Sequence, residues 1–211
     1  MHHVETANFE MVTRGDLPER ACPSDSAIRA ALKALLLSKT GNDPDTVVIE
    51  ELGLSRGHVR VDMALVNGRL HGYEIKSDRD SLRRLSTQVE LYSRVLDRAT
   101  LVVGDRFARR AHEAVPDWWG LIHVEQTQSG LRFMNLRRSR LNPTRDVRVL
   151  AELLWACDAL RLLDERNAAR GARGKPRRVL WERVCQHYTV DEIARAVRQN
   201  LKARVANRVL A

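Results

Sequence analysis

Between residues 25 and 39 the chain reads DSAIRAALKALLLSK, with apolar side chains at 28, 31, 32, 35 and 36, the spacing of a single helix face. Ser24 or Asp25 can cap the start, and the cluster Gly41-Asn42-Asp43-Pro44 ends the run. The period then changes. TVVIEELGL (46–54), GHVRVDMALV (57–66) and RLHGYEIKS (69–77) read as three strands. From 78 to 97 the apolar stripe Leu82, Leu85, Val89, Tyr92, Val95 and Leu96 predicts a helix capped by Asp80 or Ser81. ATLVVG (99–104) is a continuously apolar strand, and a helix is expected over 106–115. GLIHVEQ (120–126) and LRFMNLR (131–137) are strands around Ser129-Gly130, followed by a helix over 146–165. The stretch NAARGARGKPRR (167–178) has no period and reads as a linker or basic loop; helices at 179–187 and 190–209, the second capped by Thr189, close the pattern.

Three consecutive strands imply an antiparallel meander. The step from YEIK through a helix to TLVVG implies a parallel neighbour reached by a crossover. The fold class is therefore α/β, a mixed sheet flanked by helices.

Side chains alternate along a strand. A two-residue loop at Asn67-Gly68 would pair Asp62 with Tyr73 and misalign the apolar rows. A three-residue loop with Gly68 left-handed, as in a bulge, shifts the parity by one. Asp62, Glu74 and Lys76 then share one face, while Val61, Met63, Tyr73 and Ile75 share the other. Core formation and charge clustering require the same shift, so the longer loop is expected.

At 211 residues and 44% hydrophobic content the chain can form one well-cored domain, with or without a small appendage. The longest apolar stretch, about Ala30 to Leu37, is interrupted by Lys33 and too short for a bilayer. No membrane partner is expected, and MHHVETANFEMVTRGD does not read as a signal peptide. Cys22, Cys157 and Cys185 are odd in number and far apart, which argues against disulfides and for a reducing, cytoplasmic location. The histidines show no HxH or HExxH spacing, and GxxxxGK[ST] and GxSxG are absent. The net charge of +9 is uneven: residues 161–211 hold 13 Lys and Arg against 5 Asp and Glu. Such a basic end suits either a nucleic-acid-facing arm or a solvated helical tail.

Two carboxylates a few ångströms apart repel unless a cation joins them. Mg²⁺ or Mn²⁺ suits an all-oxygen site that keeps water and leaves room for a phosphate oxygen. A lysine on the same face can serve the attacking water or the developing phosphorane charge. Asp62, then Glu74-Ile75-Lys76, then Gln88 and Tyr92 four residues apart on a helix, resembles the D…(D/E)xK…QxxxY signature of the PD-(D/E)xK, restriction-endonuclease-like nuclease superfamily. The similarity spans roughly residues 25–125, with Val61 where that family commonly has Pro.

The resemblance implies a restriction-endonuclease-like core at 20–140, and the charge excess and helical periods read the remainder, 141–211, as a basic helical extension. The resemblance also implies Mg²⁺- or Mn²⁺-dependent hydrolysis of DNA, with RNA second, and is compatible with a homodimer. Asp62, Glu74 and the Ile75 carbonyl would hold the metal and Lys76 would serve the water. Glu51 would be an accessory ligand, with Glu50 close behind, because the first helix offers only Asp25. Gln88 would join Asp62, Glu74 and Lys76 as a catalytic residue that orders the site, Tyr92 and Arg60 would support it, and by the charge excess Arg173, Lys175, Arg177 and Arg178 would grip nucleic acid. The alternative is a non-catalytic nucleic-acid-binding or accessory module on the same fold.

Overall fold

The computed structural model describes residues 22–41 and 43–209. The leader reading at the amino terminus, and Asn42, lie outside the described residues. Helix α1 (Asp25–Lys39) begins where Ser24 Oγ accepts the Ala27 N–H at 3.2 Å. Strands β1 (Val47–Leu54), β2 (Val59–Val66) and β3 (Leu70–Lys76) follow, then α2 (Leu85–Ser93) and β4 (Arg98–Val103). Two single turns, α3 (Asp105–Ala108) and α4 (Ala111–Ala114), lead to β5 (Gly120–Thr127) and β6 (Gly130–Arg137). Helices α5 (Val147–Ala151), α6 (Ala156–Glu165), α7 (Arg177–His187) and α8 (Val190–Val209) complete the chain.

The six strands form one sheet in sequence order. β1–β2, β2–β3 and β5–β6 are antiparallel, while β3–β4 and β4–β5 are parallel. The expected mixed sheet flanked by helices is present. On one face α1 buries Ile28, Leu32 and Leu36 against Met63, Tyr73, Ile75 and Val102. On the other, α2 and the carboxy-terminal helices cover Ala64, Leu101, Val103 and Leu121. That second core is continuous across residue 141, because Leu150, Trp181, Val197 and Leu201 belong to it.

The β2–β3 loop is three residues long, since Val66 pairs with Leu70. Gly68 is nevertheless not left-handed. Instead Asn67 Oδ1 accepts the Arg69 N–H at 3.0 Å, and this side-chain turn closes the loop.

Three expected helices are shorter or broken, each for a local reason. Residues 78–84 are not helical: Asp80 Oδ2 accepts the Ser77 N–H at 2.8 Å and Asp78 Oδ1 accepts the Arg106 N–H at 2.8 Å. Such side-chain bonds compete with helix formation. The 106–115 helix splits at Arg109–Arg110. The 146–165 helix breaks at residues 152–155, where Asp158 Oδ2 accepts the Trp155 N–H at 3.0 Å and starts a new helix. The 167–178 segment is turn-rich but anchored by buried Ala169 and Ala172, and α7 begins at Arg177. Thr189 caps α8 as expected, exchanging bonds with Glu192.

Candidate active site

β1 and β2 carry an interruption at the same level. Glu51 has φ 52°, and the Glu51–Asp62 step is missing from a register that otherwise runs from Val47↔Val66 to Leu54↔Val59. Pairing of β2 with β3 stops at Met63↔Tyr73. Beyond it, Asp62 Oδ2 accepts the Ile75 N–H at 2.7 Å, a donor that a continued strand would have satisfied with backbone. Simple alternation therefore fails for Val61, which joins the α2-side core instead of the face of Met63. The split opens a pocket of about 590 Å³ reached from both α1 and α2.

The pocket gathers Glu51, Arg60, Asp62, Glu74, Ile75, Lys76 and Gln88. Glu74 is 1% exposed and Lys76 5%, so their charges depend on partners rather than water. Lys76 Nζ lies 2.6 Å from Glu74 Oε1, and Gln88 Nε2 donates to the same oxygen at 2.6 Å. The Tyr92 hydroxyl is 2.6 Å from Glu74 Oε2 and 2.7 Å from the Arg60 carbonyl. Burial, reinforced by the Glu74 charge, holds the Tyr92 phenol far above its ordinary pKa, so it acts as a donor. Tyr92 also stacks on the buried Trp119, with interplanar angle 2° and centroids 5.8 Å apart. Burial, and next the Glu74 charge, pushes the Asp62 carboxyl up to about 6, against the pull of the Ile75 N–H, Arg29 and Lys76.

Arg29 was not singled out by the sequence. Its Nη1 reaches Glu51 Oε1 at 2.5 Å and the Asp62 carbonyl at 3.1 Å. Its Nη2 reaches Asp25 Oδ2 at 3.1 Å and Asp62 Oδ1 at 3.3 Å. The available signal was the i, i+4 pair with Asp25 on the polar face of α1. Arg84, on the loop before α2, also lines the pocket unannounced. Of the two candidate accessory acids, Glu51 faces the pocket and Glu50 does not: Glu50 pairs with Lys33 at 2.7 Å.

The basic residues expected to grip nucleic acid lie away from this pocket. Arg173 pairs with Asp164 at 3.3 Å and Arg178 with Glu182 at 2.8 Å, while Lys175 and Arg177 are exposed without a carboxylate partner among the described residues. Exposed Arg60 and Arg84 at the pocket likewise have no carboxylate partner among the described residues. Elsewhere Asp105, His123 and Glu125 bring potential ligand atoms within 4.8 Å of one another, with Glu125 ion-paired to Arg132. Histidine spacing gave no hint of this group, because it joins the start of α3 to β5.

The family model described as Bacteriophage P4 protein cII matches residues 23–209. The chain belongs to that family. Protein cII of Enterobacteria phage P4 is 30% identical over 105 residues, a match covering 50% of this chain and 40% of that protein. The chain thus spans well under half the length of this relative. Among solved structures, the SPO1766 protein of unknown function from Silicibacter pomeroyi is similar at a TM-score of 0.42 and 21% identity, over 71% of this chain and 92% of that one. No helix among the described residues is long and apolar enough to cross a membrane.

Proposed function

We propose that this member of the family is a divalent-metal-dependent nuclease that hydrolyses DNA phosphodiester bonds on a restriction-endonuclease-like core. The observation that carries the reading is the meeting of Asp62, Glu74 and Lys76 at a strand split that opens into a solvent-accessible pocket. A closed sheet would have kept these groups apart or sealed.

The donor set fits a hard cation. Asp62 and Glu74 supply carboxylates, and Ile75 its carbonyl. Among the described residues Gln88 Oε1 is buried without a partner, while Nε2 is fixed on Glu74, so the amide cannot turn round to satisfy it. An oxygen stranded in this way suits a bound cation or its water. Mg²⁺ or Mn²⁺ held there would polarise the phosphate and acidify a water. The protein's own groups do the rest. Gln88 and Tyr92 fix the Glu74 carboxylate, and Lys76 places an ammonium beside it for the attacking water or the phosphate oxygens. Arg60 and Arg84, which have no carboxylate partner among the described residues, hold the flanking backbone.

One observation favours a second reading, a nucleic-acid-binding module that does not cut. Arg29 already neutralises Glu51 and Asp62. Cleavage of single-stranded, duplex and branched DNA in Mg²⁺ or Mn²⁺, with Lys76→Ala beside the wild type, tests both. Metal-dependent cutting that Lys76→Ala reduces about 1,000-fold supports the nuclease. DNA binding with neither cleavage nor metal uptake by calorimetry supports the module.

A further inference from the structure

We infer that the two clefts that meet at Trp155, beside the candidate active site, form a binding track for single-stranded DNA, an inference that rests on the nucleic-acid reading above. Trp155 is 52% exposed, the most exposed aromatic side chain among the described residues. It sits in a segment whose neighbours Leu153 and Leu154 are buried. It is also held still. Arg204 lies over its ring at 4.1 Å and is itself fixed by Asp158 at 2.5 Å and the Leu153 carbonyl at 3.1 Å. An indole kept rigid yet exposed is a ready stacking surface.

Two clefts, of about 230 and 280 Å³, meet at Trp155, and each is large enough for a nucleobase. The first shares Glu51 with the candidate active site and the second shares Gly57. The second cleft is cationic, with Arg56, Arg177 and Arg204 against Glu152. Arg56 rides over the Trp181 ring at 5.5 Å, presented by a turn in which Ser55, Arg56 and Gly57 all have positive φ (47°, 61° and 88°). Two non-glycine residues in that region are strained, and strain of this kind persists where the surroundings enforce it, commonly at ligand clamps.

The arrangement selects one strand over two. Bases inside a duplex have both faces stacked and cannot reach an indole standing at a groove wall. In a single strand the base can stack on Trp155 while adjacent phosphates meet Arg56 and Arg177. A strand engaged at the metal-site pocket would thus have its continuation held over β1 and the α5–α6 break.

The test uses the full chain carrying Lys76→Ala, so that cutting does not disturb titrations, with a fluorescent single-stranded oligonucleotide and its duplex as probes in anisotropy measurements. Adding Trp155→Ala is expected to weaken single-strand binding about tenfold or more and duplex binding by less than twofold, with Trp155→Phe restoring most of the loss. Arg177→Ser, on an exposed site, is expected to reduce the slope of log affinity against log salt by about 0.7. Equal single-strand affinity with and without Trp155, an equal loss for duplex, or equally strong Trp155-dependent binding of polyglutamate would overturn the inference. The two readings fail separately: wild-type protein that cuts nothing yet shows the Trp155-dependent single-strand preference loses only the nuclease assignment. Cutting with affinities indifferent to Trp155 loses only the track.

Discussion

Two regions of this protein bury a carboxylate against cationic side chains, and they behave as opposites. At Asp97, 3% exposed, Oδ1 meets Arg145 at 2.7 Å and Oδ2 meets Arg198 at 3.0 Å and the Leu70 N–H at 2.8 Å. Both arginines come from beyond residue 141, so this acid fastens the carboxy-terminal region to the sheet. At Glu74, 1% exposed, the partners Lys76, Gln88 and Tyr92 are just as close, but the group lines a pocket of about 590 Å³ and leaves Gln88 Oε1 without a partner. Burial and pairing are common to both. An opening, and beside it an oxygen unsatisfied among the described residues, belong to one alone, and this is what favours a reaction site over a fastening in the proposed reading.

The comparison can be broken in three ways. The largest expected effect is the crossed pair of readouts. Lys76→Ala should reduce cleavage about 1,000-fold, equivalent to about 4 kcal/mol, yet cost no more than about 1–2 kcal/mol of stability because water can enter the pocket. Asp97→Ala should do the reverse, losing about 3 kcal/mol of stability through unpaired buried guanidiniums, with specific activity kept within twofold below the melting transition. Urea unfolding and initial rates on both variants give the answer, and matching profiles for the two would dissolve the distinction.

The second effect is on pH. The Asp62 carboxyl is raised to about 6 in the folded chain, so between about pH 4 and 6 the folded state binds more protons than the unfolded one. Stability from this group is therefore present at the acidic end and falls as pH rises through that window, by on the order of 2 kcal/mol. Asp62→Asn should abolish that fall. Parallel slopes of unfolding free energy against pH for the two proteins would mean that Glu74 and burial do not press on Asp62.

The smallest effect concerns charge at the surface. Arg173→Ala, which removes a guanidinium already paired with Asp164, should weaken DNA binding less than twofold. Arg84→Ala at the pocket mouth should weaken it several-fold. Filter binding at two salt concentrations separates them, and a larger loss from Arg173→Ala would move the contact surface away from the pocket mouth to the turns around Arg173.

The clustering of Asp62, Glu74 and Lys76 was legible because strand periods are local and put chemically matched residues at fixed offsets, whereas Gln88 and Tyr92 were added by the resemblance to the QxxxY motif. The three-residue loop at Asn67 followed from the same logic, since a one-residue slip would have exposed the core. Arg29 was not legible: 33 residues separate it from Asp62, and its role exists only because α1 lies across the split. The break before α6 was hidden for a related reason, because Asp158 looks like an ordinary helical acid until it caps Trp155.

The order of elements, the mixed sheet and the identity of the charged residues that meet there were determined by the sequence itself, through periodicity and the cost of burying unpaired charge. Where the sheet opens, which cation answers which acid, and that Trp155 stands exposed beside the opening were decided by the tertiary structure. Those outcomes depend on how distant segments pack in three dimensions, and no local pattern encodes a contact between groups that neither share a period nor lie near each other along the chain.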